Sequence, residues 1–362
     1  MKNLLKSGLL LAAIGLTVFT SCRRDGDEKV PSSKTEIDHL LIQEVYYTGT
    51  YYTRTSRGKE FTISYNDDKY IKIYNPTSKT IYLDNYALAV HVFNPSNRID
   101  LRDEYNFMKT HFGVATMTLF GGNGTQHPLH PGKSVLVAQK AIDHKAEKEK
   151  ELKENEEDPK TYKGLDHLLD LSKADFQWAT KDEDGKPIGK ENVMRLTYSN
   201  GMWAPGEEMQ DFDIKTSFVV ALLKLDDTPE NMKKTFLEEA EYTKADEIAK
   251  RKYYKEIAYK FGGHHDQTQI VLTIPYDWVE DAVTVCPDRD FKWPVVTPQI
   301  DKGHKGVQET SKEKIEKHAG KALTRRFDGN KYVDDNNSTS DFEVVNASAS
   351  STPKKQNAGS EK

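Results

Sequence analysis

Cysteine is scarce. The 362-residue chain has two, Cys22 and Cys286, so at most one disulfide could form and no disulfide framework exists. Long apolar runs are scarce too. The only one that stands out runs from Leu9 to Phe19, and at 1.5 Å per residue it is too short to cross a hydrocarbon layer of about 30 Å. A polytopic membrane protein is therefore excluded. An excess of basic charge is also missing. Lys and Arg number 52 against 57 Asp and Glu, a net charge of -5 with no basic stripe, which speaks against a nucleic-acid partner. Catalytic signatures are absent as well. Gly121-Gly122-Asn123-Gly124 has no following Lys-Ser/Thr and no helix signal, so it reads as a turn rather than a phosphate loop. Ser199-Asn200-Gly201 is no nucleophile elbow, and paired carboxylates among 57 acids carry no information.

What remains is enough for one large domain or two modest ones. Eighteen Tyr, fourteen Phe and four Trp can fill a core, although only 36% of residues are hydrophobic. A mean hydropathy of -0.75 assigns much of the chain to solvated helix, loop or tail.

The N-terminus reads as an address. Lys2 and Lys6 precede the short apolar run, which ends in Thr20-Ser21-Cys22. This resembles the lipobox of bacterial lipoproteins. The resemblance implies a signal peptide over residues 1–21, a thioether lipid on the Cys22 sulfur and acylation (palmitate) of the new amine. Each buried methylene contributes about 0.8 kcal/mol, so several chains hold where one would only dwell. A soluble secreted protein with an accidental cysteine is the alternative. Residues 22–37 then form a tether, charged over Arg23-Arg24-Asp25-Gly26-Asp27-Glu28-Lys29 and followed by Pro31-Ser32-Ser33. The charged run resembles the surface-export tag of Bacteroidota lipoproteins, which favours the outer membrane's cell surface over its periplasmic face. With Cys22 acylated, Cys286 in Val283-Thr284-Val285-Cys286-Pro287 has no partner and reads as a small buried core residue.

Beyond the tether the pattern is β. Leu40-Leu41-Ile42-Gln43-Glu44-Val45-Tyr46-Tyr47 is a strand with two inner polar residues. Strands follow at 69–74, 80–83, 86–92, 117–120, 134–138, 217–223, 269–275, 321–327 and 341–345. Residues 53–68 are polar and read as a loop. Two stretches break this rhythm. Residues 141–157 read as a solvated helix. Residues 229–261 read as helical, with Thr228 as N-cap, Pro229 at the first position, apolar stripes through Phe236 and Ile257, and Gly262-Gly263 as the stop. From 346 to 362 the composition is that of a disordered tail.

Several residues tempt a chemical reading. His264-His265-Asp266, with His127 and His130, could contribute to a metal site, although neighbouring side chains seldom face one point. Asp334, Asp335, Asn337 and Asp341 offer oxygens to calcium, but their spacing fits no calcium loop, and an Asx-rich turn explains them. Trp178, Trp203, Trp278 and Trp293 could stack on sugars or fill a core. No cofactor, metal or catalytic residue is assigned, and Cys22 is the one site residue, for lipidation.

Three blocks carry a resemblance. The first combines 42–47, 70–77 and 81–88, the second is Leu129-His130-Pro131-Gly132-Lys133-Ser134-Val135-Leu136-Val137-Ala138, and the third joins Ala322-Leu323-Thr324-Arg325-Arg326 to 334–342. In that order they resemble the lamin-tail-like domain, an immunoglobulin-like β-sandwich. Together with 141–144, 170–178 and 274–283 they resemble an uncharacterised domain-of-unknown-function family of Bacteroidota lipoproteins. The likeness covers roughly residues 40–345 of an expected domain at 38–345, departs from that family in the 229–261 insertion and in lacking an N-terminal immunoglobulin-like module, and implies no activity. The expected protein is a mainly β sandwich with helical insertions, held to the membrane at Cys22. Its expected role is non-enzymatic binding, with an outer-membrane uptake receptor, another envelope protein or a glycan as partner. A hydrolase of extracellular polymer and an adhesin or filament subunit are the alternatives. Two carboxylates facing one another in a deep pocket would mark the first, and an exposed unpaired strand edge the second.

Overall fold

The computed structural model describes residues 36–101, 107–178, 193–199, 203–206, 212, 214–242, 245–248, 250–261 and 265–349. Residues 1–35, which hold the expected signal peptide, Cys22 and most of the expected tether, lie outside the described residues. The compact unit starts at Ile37. No described helix is long and apolar enough to cross a membrane.

The strands, in order, are β1 (Leu41–Tyr46), β2 (Thr50–Ser56), β3 (Lys59–Tyr65), β4 (Tyr70–Tyr74), β5 (Ile81–Tyr82), β6 (Tyr86–His91), β7 (Asp100–Leu101), β8 (His111–Phe120), β9 (Pro128–Leu129) and β10 (Ser134–Ala138). There follow β11 (Tyr162–Lys163), β12 (Phe176–Gln177), β13 (Val193–Ser199), β14 (Trp203–Gly206), β15 (Phe218–Lys224), β16 (Tyr254–Phe261), β17 (His265–Pro275), β18 (Val279–Val285), β19 (Lys321–Arg325) and β20 (Phe342–Asn346). The α-helices are α1 (His144–Glu154), α2 (Pro229–Ala240), α3 (Ala245–Ile248), α4 (Ile315–His318) and α5 (Ser338–Asp341).

One sheet runs β12-β10-β4-β1-β19-β20, antiparallel except where β10 meets β12. A second runs β18-β15-β6-β8-β17-β16-β7. On the side of β8 away from β6, its first half holds β17 and its second half β13, so the sheet branches and curls into a half-barrel. The sheets face one another. Ile42, Val45, Ile71, Ile73 and Leu323 of the first interdigitate with Leu88, Val90, Val220, Leu222, Val283 and Val285 of the second. The far face of the curled sheet is buried too, with Ala87, Ala89, Val219, Ala221 and Leu223 packing among Met232, Phe236, Tyr253 and Ile257. That double burial is why β15 reads as an unbroken apolar run instead of an alternation. The chain is thus a mainly β sandwich with helical insertions.

The two inner polar residues of β1 have a geometric cause. The pairing of β1 with β4 slips between Ile42 and Glu44, which makes Gln43 the extra residue of a β-bulge. The slip lets Leu40 and Ile42 on one side of it, and Val45 and Tyr47 on the other, all enter the same core. Glu44 turns to the opposite face.

The charged helix is real: Asp143 caps the N–H of Ala146, and of α1 only His144 and Leu152 are buried. Thr228 caps Asn231 at the start of α2 as the sequence indicates. Three expectations are corrected. First, the helical reading of 229–261 holds only to Ile248, because Tyr254–Phe261 is β16, paired residue for residue with β17 from Tyr254↔Leu272 to Phe261↔His265. Ile257, Ala258 and Phe261 fit a helical spacing. The aromatic and β-branched content of that segment and a long partner strand decided otherwise. Second, residues 53–68 are no plain loop, because β2 and β3 form a hairpin in unbroken register there. Third, the tail does not begin at 346. The N–H of Ala347 bonds to the carbonyl of Gly320, and Ala347 and Ala349 pack on the outer face of the first sheet.

Candidate functional site

Near the start of the folded unit, β1, β18, β19 and the 334–341 turn converge on one side chain. Arg325 ends β19 with its side chain 1% exposed. It donates from Nε to the Ile42 carbonyl (3.0 Å), from Nη1 to the Val333 carbonyl (3.0 Å) and Asp334 Oδ1 (3.1 Å), and from Nη2 to Asp281 Oδ2 (2.5 Å). Asp341 Oδ2 lies 3.6 Å from Nη1, and the Phe342 ring lies 4.7 Å beneath the guanidinium. The planar fork suits this work because its donors reach several acceptors in one plane. His39 adds a second cation, with Nε2 3.2 Å from Asp334 Oδ2.

Three buried carboxylates thus face Arg325 and His39, and their proton affinities diverge accordingly. Burial pushes the Asp281 carboxyl up to about 7, against the pull of Arg325. Asp334 is buried as well, yet hydrogen bonding and charge from His39 and Arg325 hold it below the usual carboxylate range. Burial raises Asp341, which nonetheless accepts the N–H groups of Asp335 (3.1 Å) and Asn337 (3.0 Å). Burial would lower His39, but the bond and charge of Asp334, then Asp38 and Asp281, lift it to about 9. The chain is fastened as it enters: the N–H of Leu40 bonds Glu280 (3.2 Å) and that of Ile42 bonds Asp281 (2.6 Å). Asp301 braces the turn by accepting the N–H of Thr284 and the N–H and hydroxyl of Ser338 at 2.8, 2.8 and 2.5 Å.

That turn leaves Gly303 no room for a side chain. A Cβ there would lie 2.1 Å from Asn337 Oδ1 and 2.5 Å from Thr339 Oγ1. Gly303→Ala is therefore expected to lower stability by roughly 1–3 kcal/mol through forced displacement of the turn, which urea unfolding would measure.

A second buried network lies on the outer face of the same sheet. Glu44 accepts from the Tyr70 hydroxyl, from Lys72 Nζ (3.2 Å) and from Thr324 Oγ1 (2.8 Å). Lys72 donates to the Ser348 carbonyl at 2.5 Å, and the Ser348 N–H donates to the Tyr70 hydroxyl at 2.7 Å. This network pins the chain beyond β20.

The residues singled out in the sequence are scattered. His264 lies outside the described residues, and His265 and Asp266 open β17. His127 packs its ring on Phe176, and His130 meets Thr80 Oγ1 at 3.0 Å. Among the described residues no group of three potential ligands could hold a metal ion. Asp334 and Asp341 of the 334–341 turn are engaged with Arg325, His39 and backbone N–H groups, while Asp335 is exposed, so the turn is built around a buried guanidinium. Gly121–Gly124 is a turn, and Asp84 accepts the N–H of Gly124 together with those of Gln126 and His127 just beyond it. Trp178 is fully buried, Trp278 leans on Tyr253, and Trp293 donates to the carbonyls of Asn94 and Asn97. Trp203 lies in β14. Cys286 is buried, and burial pushes its thiol up to about 11, which makes it a core group. Sequence reasoning missed Arg325, His39 and Asp281. The acidic pair Glu280-Asp281 inside an otherwise apolar strand, and Arg325 closing another, were the available signals.

The fold and this site define a class: a mainly β sandwich whose buried charges knit its strands and turns together. The family described as "Protein of unknown function (DUF4876)" matches residues 130–349, more than half of the chain. The chain belongs to that family. A crystal structure of a DUF4876 family protein from Bacteroides thetaiotaomicron VPI-5482 is similar in fold, with a TM-score of 0.54 and 20% identity over 84% of this chain and 70% of that one. No curated protein matches the sequence.

Proposed function

We propose that the protein is a lipid-anchored, non-enzymatic interaction module of the bacterial outer membrane. Lipid on Cys22 holds it to the membrane, and the β sandwich presents a recognition surface to an uptake receptor, another envelope protein or a glycan. One observation supports this reading above the others. The ionisable groups with displaced proton affinities at the candidate site are buried or half-buried and partnered with one another, where the chain enters the fold. Such an arrangement resists the pull of a tether, because the first strand is centred in its sheet and fastened by charge-assisted bonds. A hydrolase needs two carboxylates facing substrate. Asp281 and Asp334 instead face Arg325.

Replacing Cys22 by serine tests the anchor. The variant is expected to leave the envelope pellet for the soluble fraction and to lose fatty-acid label; continued sedimentation with the envelope overturns the proposal. The recognition arm is tested by cross-linking in intact cells before solubilisation. The anchored protein is expected to carry an envelope partner, and repeated recovery of the protein alone counts against it.

A further inference from the structure

We infer that the outer edge of β3 is a docking edge for an extended, acidic-ended segment of another envelope protein, added to the sheet as a further antiparallel strand. The inference rests on the binding-module reading above and names the partner's chemistry. β3 closes the three-stranded sheet β11-β2-β3 and pairs only with β2 among the described residues. It is seven residues long, contains no proline, and keeps its register from Thr50↔Tyr65 to Ser56↔Lys59 without a bulge. Short edges, prolines, bulges and inward charges are the usual means of blunting a free edge. Several other edges use such means. β7 and β12 are two residues long, and β18 is lined by Leu40 and Ile42, whose N–H groups bond Glu280 and Asp281.

The turn fixes which backbone groups are available. Arg57 and Gly58, with φ of 49° and 73°, form a two-residue loop of the mirror-image type I′ kind. Ser56↔Lys59 is then a hydrogen-bonded pair, and so are Phe61 and Ile63 with their partners. The N–H and C=O groups of Glu60, Thr62 and Ser64 therefore point away from β2, toward the open edge. Ile63 and Tyr65 pack into the cluster of Tyr52, Leu152, Tyr162, Leu165 and Leu168. Phe61 is on the same face but outside that cluster, and it is 51% exposed. An added strand would cover it.

Charge selects the occupant. Arg54 pairs with Glu157 (3.1 Å) and Lys163 with Glu60, whereas the exposed Arg57 and Lys59 side chains make no ion pair among the described residues. These two cations crown the tip of a chain whose net charge is -5. An incoming strand with apolar residues at alternate positions and acidic residues at the end beside Arg57 and Lys59 matches the edge in both respects.

The test uses the full chain carrying Cys22→Ser, purified from the soluble fraction. Its probes are a fluorescent octapeptide that alternates valine and threonine and ends in two aspartates, and the same peptide ending in two lysines. The aspartate peptide is expected to bind at least tenfold more tightly and to slow hydrogen exchange at the amides of Glu60, Thr62 and Ser64. Thr62→Pro removes one outward N–H while leaving the β2 ladder intact, and is expected to weaken binding at least tenfold. Thr62→Ala loses only the hydroxyl's bond to Glu316 and should bind as the parent does. Arg57→Asp with Lys59→Glu should reverse the peptide preference, and aspartate at the first turn position preserves the I′ turn. Equal binding of both peptides, protection elsewhere, or indifference to Thr62→Pro overturns the inference. So does self-association that Thr62→Pro abolishes, which would make a second copy the occupant. Because no membrane is involved, failure here counts against the β3 edge alone. Retention of Cys22→Ser in the envelope counts against the anchor instead.

Discussion

Replacing Arg325 by methionine is expected to lower the free energy of unfolding by roughly 3–5 kcal/mol, because it strands buried carboxylates without their cation. Methionine keeps most of the side-chain volume, so the loss reports charge and hydrogen bonding more than a cavity. Four acceptors lose their donor: the carbonyls of Ile42 and Val333, Asp334 and Asp281. A domain of ordinary stability has only about 5–15 kcal/mol to lose, so the variant should unfold at much lower urea. Adding Asp281→Asn should recover part of that. The amide oxygen still accepts the Ile42 N–H, and one uncompensated charge is gone. The deficit of Arg325→Met should also shrink at pH 5, where stranded carboxyls can take up protons. Urea unfolding of the two variants at pH 7.5 and pH 5 measures all three effects. A loss below about 1 kcal/mol at pH 7.5, where removal of one partner of a buried pair should cost several times more, would sink this account of the fold.

Much of the architecture was legible in sequence, and the reasons for the exceptions are physical. β4, β6, β10, β15, β19 and β20 were readable because alternating or continuous apolar residues are bounded by turn chemistry. The Asn75-Pro76 turn is an example: Asn75 Oδ1 accepts both the N–H and the hydroxyl of Thr77. β2 and β3 were hidden because a thin three-stranded sheet with one wet face has little apolar signal, leaving Tyr52, Phe61, Ile63 and Tyr65 among polar neighbours. β16 was hidden because the burial of Tyr254 and Ile257 falls three residues apart, a helical spacing produced here by packing in a curled sheet. The candidate site was the least legible part. Its residues come from positions 39, 281, 325, 334 and 341, and nothing local announces that three acids, a histidine and an arginine from separate strands and turns will meet. The Asp/Asn-rich turn was visible, but its reason was not, since the guanidinium it encloses comes from another strand.

Stability is expected to peak in mildly acidic to neutral solution and to fall on both sides, with His39 setting part of the alkaline limb. His39 titrates near 9 when folded against 6.5 when free, so its contribution is complete below pH 6.5 and disappears as pH rises through 9. Asp281 and Asp68, each raised by burial from 3.8 to about 7, act in the same direction at lower pH: the folded state resists their ionisation, so stability drains between about pH 4 and 7. The opposite slope comes from His91 and His144. Burial holds them neutral, at about 3 and about 4, while the unfolded chain takes up protons below 6.5, so acid favours unfolding. Asp334 adds to that acid limb because its depressed affinity is a stabilisation lost as it protonates. His39→Asn keeps a donor toward Asp334 but has no charge to lose. For a ring that is 27% exposed, solvent screening reduces the stabilisation to roughly 1–2 kcal/mol. Melting temperatures of the parent and His39→Asn, followed from pH 5 to 10, separate the terms. The two should differ most below about pH 6.5 and converge by pH 10. Parallel curves between pH 7 and 10 would show that the His39–Asp334 pair does not hold the first strand in place.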